Sequence, residues 1–223
     1  NILAYESPKK LLKMFAWPAI ISMLPNSLYN IIDQIFIGQA VGYLGNAATT
    51  IAFPIVTVVL ALGTLFGVGG SAFAAIKLGE GRKDVAEKVL NTVTTMAFII
   101  GIIMMIAGLV YLEPILKIFG ATDQTMQYSK EFGGVMIAII PITMLIIGLA
   151  NLARADGNPR LAMRSLVSGV VINLLLAPFF IFQFHWGVWG AALATACAQI
   201  FSLAVLIWYF VRSSKMRLSL HYL

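Results

Sequence analysis

Charged residues are scarce in this chain: Asp, Glu, Lys and Arg make up 11% of its 223 residues, while 60% are hydrophobic. A soluble domain carries about twice that charged share, and a soluble fold could not hide so much apolar surface. Cysteine is nearly absent. The single Cys197 lies in an apolar run, so no disulfide framework holds the fold, and it reads as a small packing residue. The only histidines are His185, after the fifth apolar run, and His221, in the tail. Neither is placed to serve as a base for Ser71, which argues against a serine-protease type of intramembrane enzyme. No lysine follows the glycines of residues 63–70, so they do not form a phosphate loop. The first apolar stretch is too long, and too interrupted by Pro18 and Pro25, for a cleavable signal peptide. The start at Asn1 rather than Met reads as trimmed.

What is abundant is long, continuous apolar sequence. A helix needs about 20 such residues to cross the hydrocarbon core. Six segments reach that length: 11–37, 50–78, 89–112, 128–152, 166–182 and 188–211. In lipid only helices or closed barrels satisfy their backbone groups, and barrel strands alternate over about 10 residues. The expected fold is therefore all-α and integral to the membrane: a six-helix bundle over 1–211, followed by a short tail or linker over 212–223. All of the 15 Lys and Arg except Lys117 and Lys130 fall in the tails and loops of one side if the N-terminus is inside. By the positive-inside rule both termini are then cytoplasmic. The net charge of +6 is a topology signal and not a nucleic-acid patch. Small residues gather in the second span, where Gly63 and Gly67 have the spacing that lets helix backbones meet.

An ionisable residue inside a span is costly and marks a candidate site. Asp33 is the one clear case: the other acidic residues lie in loops or at helix ends. At about 100° per residue, Asn26, Tyr29, Asn30 and Asp33 form a polar stripe that continues to Gln34. The stripe reads as facing a water-filled cavity or another helix; a packing patch or a solvated surface Asp is the alternative. Asn173 in the fifth span, and Thr195 with Gln199 at i, i+4 in the sixth, are the available partners. Such oxygen groups suit Na⁺ or an exchangeable proton. Pro18 and Pro25 each remove a helix hydrogen bond, so they read as bends or as a hinge.

The ordered set of these residues resembles the N-terminal lobe of multidrug and toxic compound extrusion (MATE) transporters. The resemblance is carried by Pro18, Pro25, Asn26-Ser-Leu-Tyr-Asn-Ile-Ile-Asp33 and Ile35-Phe-Ile-Gly38 in the first span. It continues through Phe53-Pro54, Gly67-Val-Gly-Gly-Ser-Ala72, Gly79-Glu-Gly-Arg-Lys83 and Phe119-Gly-Ala-Thr122. Arg154-Ala-Asp-Gly-Asn-Pro-Arg160 and Gly187-Val-Trp-Gly-Ala-Ala192 complete it.

The resemblance implies half of an antiporter of the plasma (inner) membrane. Such a protein exports amphiphilic or cationic organic compounds, needs no cofactor and is driven by Na⁺ or H⁺. It implies a second lobe, or a second copy of the chain, as partner. It places a cation or proton site at Asp33, with Tyr29, Asn173 and Thr195. One departure stands out: the family usually carries a second aspartate one turn after the asparagine, where this chain has Ala177 before Pro178. That alanine removes charge and ligands from the site. A lipid-linked oligosaccharide flippase of the same superfamily, or a non-transporting membrane interaction protein, is the alternative. The flippase reading expects basic residues in the cavity, and no Lys or Arg lies in the expected membrane core.

Overall fold

The apolar runs fold as α-helices wherever the computed structural model describes the chain, which is residues 16–17, 31–212, 214, 216 and 218. No strand occurs among the described residues. In chain order the helices are α1 (Ile31–Val41), α2 (Tyr43–Gly79), α3 (Lys83–Val110), α4 (Leu112–Ile118), α5 (Met126–Ala138), α6 (Ile140–Ala155), α7 (Pro159–Pro178) and α8 (Gly187–Arg212). Four described helices are long and apolar enough to cross a membrane, with α7 counted through Gln183. The bent pair α5 and α6 supplies a fifth. Most of the expected first span lies outside the described residues; α1 is its described end.

Two elements differ from the sequence expectation in ways that proline explains. The run over 128–152 is not one helix: α5 and α6 meet at Ile139 with a bend of 48°. Pro141 sits in the first turn of α6, where it has no N–H to give to α5 and fixes its own φ. Gly101 of α3 leaves room at this bend, since a Cβ there would stand 2.6 Å from Pro141 Cα. Near the end of α7, Pro178 likewise withholds an N–H, and the chain continues as a π-turn, Phe179–Gln183.

Turns at Gly42, at 119–125 and at 184–186 lie at one end of the bundle, the Gly42 end. Those at 80–82 and 156–158, with Ser214, lie at the other, the Asp156 end. At the first end Gly42 alone joins α1 to α2, with φ at +81°, a backbone region that glycine enters without strain. At the second, Asp156-Gly157-Asn158-Pro159 turns α6 into α7. Gly157 takes φ +90°, Asn158 Oδ1 accepts from Leu161 N at 3.1 Å, and Pro159 opens the helix.

Packing follows the small residues. Gly63 and Gly67 of α2 face Ile147 and Asn151 of α6, as their spacing predicts, whereas Gly69 meets open space. Between α7 and α8, Ser165 Oγ donates to Ser202 O at 2.8 Å and Ser202 Oγ donates to Ser165 O at 2.9 Å. Gly169 lies against the same Ser202 hydroxyl. Large apolar side chains point outward; Leu65 and Leu175 are 65% and 69% exposed. Trp189 and Trp208 project from opposite ends of α8. At 1.5 Å per residue they stand about 28 Å apart, close to the thickness of a hydrocarbon core. Indoles favour the two interfaces of a bilayer, so this pair frames the helix in it.

Candidate functional site

Three helices meet in one apolar cluster: α1 brings Ile37, α7 brings Ala177, and α8 brings Val188, Ala191 and Ala194, with Ile181 from the π-turn. Ile37 lies one turn past Asp33, and Ala177 one turn past Asn173. Thr195 follows Ala194 directly. The cluster therefore draws together the helices that carry the three candidate residues.

Each of these polar side chains is withdrawn from solvent: Asn173 is 2% exposed, Asp33 7% and Thr195 7%. Asn173 Nδ2 donates to Thr195 Oγ1 at 3.0 Å, and that hydroxyl donates on to Ala191 O at 3.2 Å. The amide oxygen of Asn173 and one carboxylate oxygen of Asp33, Oδ1, have no hydrogen-bond partner among the described residues. A buried oxygen without a partner costs about 1–3 kcal/mol. Two on neighbouring helices are the kind of donor set that a monovalent cation or a proton would satisfy. No group of three or more His, Cys, Asp or Glu occurs among the described residues, so a transition-metal centre has no support there.

The other expected residues divide. Tyr29, Asn26, Asn30, Pro18 and Pro25 lie outside the described residues. Gln34 turns toward α2: its Nε2 donates to Thr49 Oγ1 at 2.8 Å, and that hydroxyl approaches Gln34 Oε1 at 3.2 Å. Gln199 shares a face of α8 with Thr195 but serves another neighbour, accepting from Thr143 Oγ1 of α6 at 2.5 Å. Neither glutamine joins the Asn173–Thr195 pair. Ile31, Gln34, Ile35, Gly38, Gln39 and Asn46 line an open groove of about 500 Å³ between α1 and the start of α2.

Ala177, 1% exposed, shares its apolar cluster with Ile37 of α1, so an apolar contact stands where the resemblance implies a carboxylate.

One polar centre escaped the sequence reading. Asp156, placed there among loop residues, is only 4% exposed. Its Oδ2 accepts from Tyr209 Oη at 2.5 Å and from Ser214 Oγ at 2.8 Å. The local signal, Asp-Gly-Asn-Pro, announces a turn and says nothing of partners more than 50 positions away.

At the Gly42 end, Phe179, Phe180, Phe184, Trp186 and Trp189 stack around the π-turn, with Phe184 and Trp186 parallel at 4.9 Å. Phe36 of α1 meets Phe182 edge to face at 5.9 Å.

Comparison with known proteins places this architecture. The MatE family profile matches residues 18–179. "Multidrug export protein MepA" of Staphylococcus saprophyticus is 32% identical over 206 residues, covering 90% of this chain and 44% of the relative. The protein of the same name from Staphylococcus haemolyticus is 30% identical over 210 residues, covering 92% and 46%. Among solved structures, the MATE multidrug transporter DinF-BH superposes with a TM-score of 0.90 at 33% identity, covering 96% of this chain and 48% of that one. A MATE protein in its bent conformation gives 0.89 at 26% identity, covering 97% and 48%. This chain spans about half the length of the relatives it matches. With its helical bundle and the match over 18–179, the chain is a multi-pass membrane protein that belongs to the MATE family.

Proposed function

We propose that the chain is the ion-coupled N-terminal half of a multidrug efflux antiporter, with six spans, both termini in the cytoplasm, and a second lobe or second copy completing the machine. The reading rests on one observation above the others: Asp33 Oδ1 and Asn173 Oδ1 are buried without hydrogen-bond partners among the described residues, on helices that one apolar cluster brings together. Relatives named for multidrug export support the export of drugs, and amphiphilic or cationic organic compounds are the substrates that the resemblance implies. The Lys and Arg distribution gives the orientation, with the Asp156 end inside. In that orientation the Gly42 end faces outward, and Asp33 receives Na⁺ or H⁺ from outside.

Asp33 supplies the charge, Asn173 and Thr195 supply neutral oxygens, and Tyr29 completes the set as the resemblance implies. With alanine at 177 the site has one carboxylate, so a bound cation is neutralised by Asp33 alone. Pro18 and Pro25 are the proposed flexing points of the first span.

The test is thermal unfolding of the detergent-solubilised chain across Na⁺ concentration and pH, alongside its oligomeric mass. A ligand at 100 times its Kd adds about 2.7 kcal/mol to the folded state. The unfolding midpoint should rise with Na⁺ or shift with pH, and Asp33→Asn should abolish the response. A midpoint indifferent to both ions, in a chain of verified fold, sinks the coupling role.

A further inference from the structure

The chain does not leave α8 freely. Ser214 N donates to Tyr209 O at 3.1 Å, and Leu218 N donates to Phe210 O at 3.2 Å. Met216 N donates to Ser214 Oγ at 3.0 Å, and that hydroxyl donates to Asp156. Met216 itself is fully buried. It joins a core cluster with Leu152 and Ala153 of α6, Ala162 of α7, and Leu206, Tyr209 and Phe210 of α8, with Leu218 packed against them. Two regions distant in sequence thus converge on one carboxylate: the α6–α7 turn, and the last turn of α8 with the residues that follow it.

We infer that Asp156 is a positioning residue that locks the Asp156 end of the bundle, holding Tyr209 and Ser214 so that Met216 stays seated as a plug between α6, α7 and α8. The chemistry favours this role. A carboxylate at 4% exposure must be hydrogen-bonded to remain in place. Hydroxyl donors to a carboxylate make short, charge-assisted bonds stronger than neutral ones. Phenol and serine are both oriented by backbone already fixed, Tyr209 in α8 and Ser214 by its N–H on that same residue's carbonyl.

The consequence is a division of labour between the two ends. At the Asp156 end, α6, α7 and α8 form one rigid unit, reinforced by the Ser165–Ser202 exchange. At the Gly42 end, α7 finishes in a π-turn, and α1 is joined to α7 and α8 through one apolar cluster and the Phe36–Phe182 contact. Rearrangement of the lobe is therefore confined to the Gly42 end. The inference uses neither the ion nor the orientation proposed above, and the test reads neither.

The test is accessibility of position 216 in solubilised protein. In a Cys197→Ala background, Met216→Cys should react slowly with a charged maleimide, far more slowly than Asp84→Cys at an exposed site. Adding Tyr209→Phe or Ser214→Ala removes one charge-assisted hydrogen bond, and labelling should accelerate about tenfold. Ser214→Asp, which sets like charges together, should accelerate it more. Tryptic cleavage after Lys215, with Met216 intact, provides a second reading that the cysteine cannot disturb, and it should rise in the same order. An unchanged melting transition for Tyr209→Phe and Ser214→Ala separates unlocking from unfolding. Rapid cleavage and labelling in the parent would show that the plug is not seated. Protection unchanged by all three substitutions would show that Asp156 does not hold it.

Discussion

Asn173 on α7 gives its side-chain N–H to Thr195 on α8 at 3.0 Å, and the same amide keeps its oxygen buried, with no hydrogen-bond partner among the described residues. The donor half of the amide is structural, because it ties two helices together. The acceptor half is available. Asn173→Leu should separate the two roles. Thr195 retains Ala191 O as its acceptor, so stability should fall by only about 1 kcal/mol. The response of the melting temperature to Na⁺ or pH should vanish. Thermal unfolding with and without Na⁺ checks both halves; a retained ion response would remove Asn173 from the site.

Ala177→Asp should restore a second carboxylate where Ile37 now packs. Burying an unpaired charge costs several kcal/mol, so the melting temperature without Na⁺ should drop clearly. Added Na⁺ should then raise it by more than in the parent, since two carboxylates bind a cation better than one. A drop that Na⁺ does not reverse would mean that position 177 does not address the site.

Gly169→Ala should push α8 from α7, because the new methyl runs into Ser202 Oγ. Overpacking of this kind costs about 1–3 kcal/mol. Ser202→Ala alone removes the hydroxyl and one bond, leaving Ser165 Oγ still donating to the carbonyl of residue 202. Combined with Gly169→Ala it should recover part of the loss, a non-additivity visible in a double-mutant cycle of unfolding free energies.

Glu113, in the short helix α4, sits between Lys130 and Lys117 at 2.7 and 3.1 Å. The hydrogen bond from Lys130, then that from Lys117, holds its carboxyl below the usual value of 4.5. A carboxyl whose folded value is depressed contributes stability above its unfolded value and loses it as pH falls through the folded one. Melting temperature should therefore decline on acidification below about pH 4.5. Glu113→Gln should flatten that part of the profile, and molar salt should erase the difference because the cluster is exposed.

Much of this was legible beforehand because lipid imposes simple rules. Long apolar runs announced the helices, and Asp33, Asn173 and Thr195 stood out as polar exceptions within them. The bend at Ile139 was harder to see: apolar character continues across Pro141, and hydropathy does not register a missing N–H. Gln34 and Gln199 were named on helical phase alone. Phase gives the face of a helix but not which neighbour covers it, and Thr49 and Thr143 took them. Asp156 was invisible for the same reason in stronger form, since its hydrogen-bond partners Tyr209 and Ser214 lie more than 50 positions away.

The one-residue joint at Gly42 has a mechanical meaning. The 37 residues of α2 amount to a rod about 55 Å long at 1.5 Å per residue. Gln34 and Thr49 clamp that rod to α1 beside the joint. Further along, the rod is held against α6 at Gly63 and Gly67, so a swing of the first span is taken up at Gly42 and is not carried to Gly79. The Gln34–Thr49 bridge is the contact that such a swing strains, a latch beside an elbow at the Gly42 end.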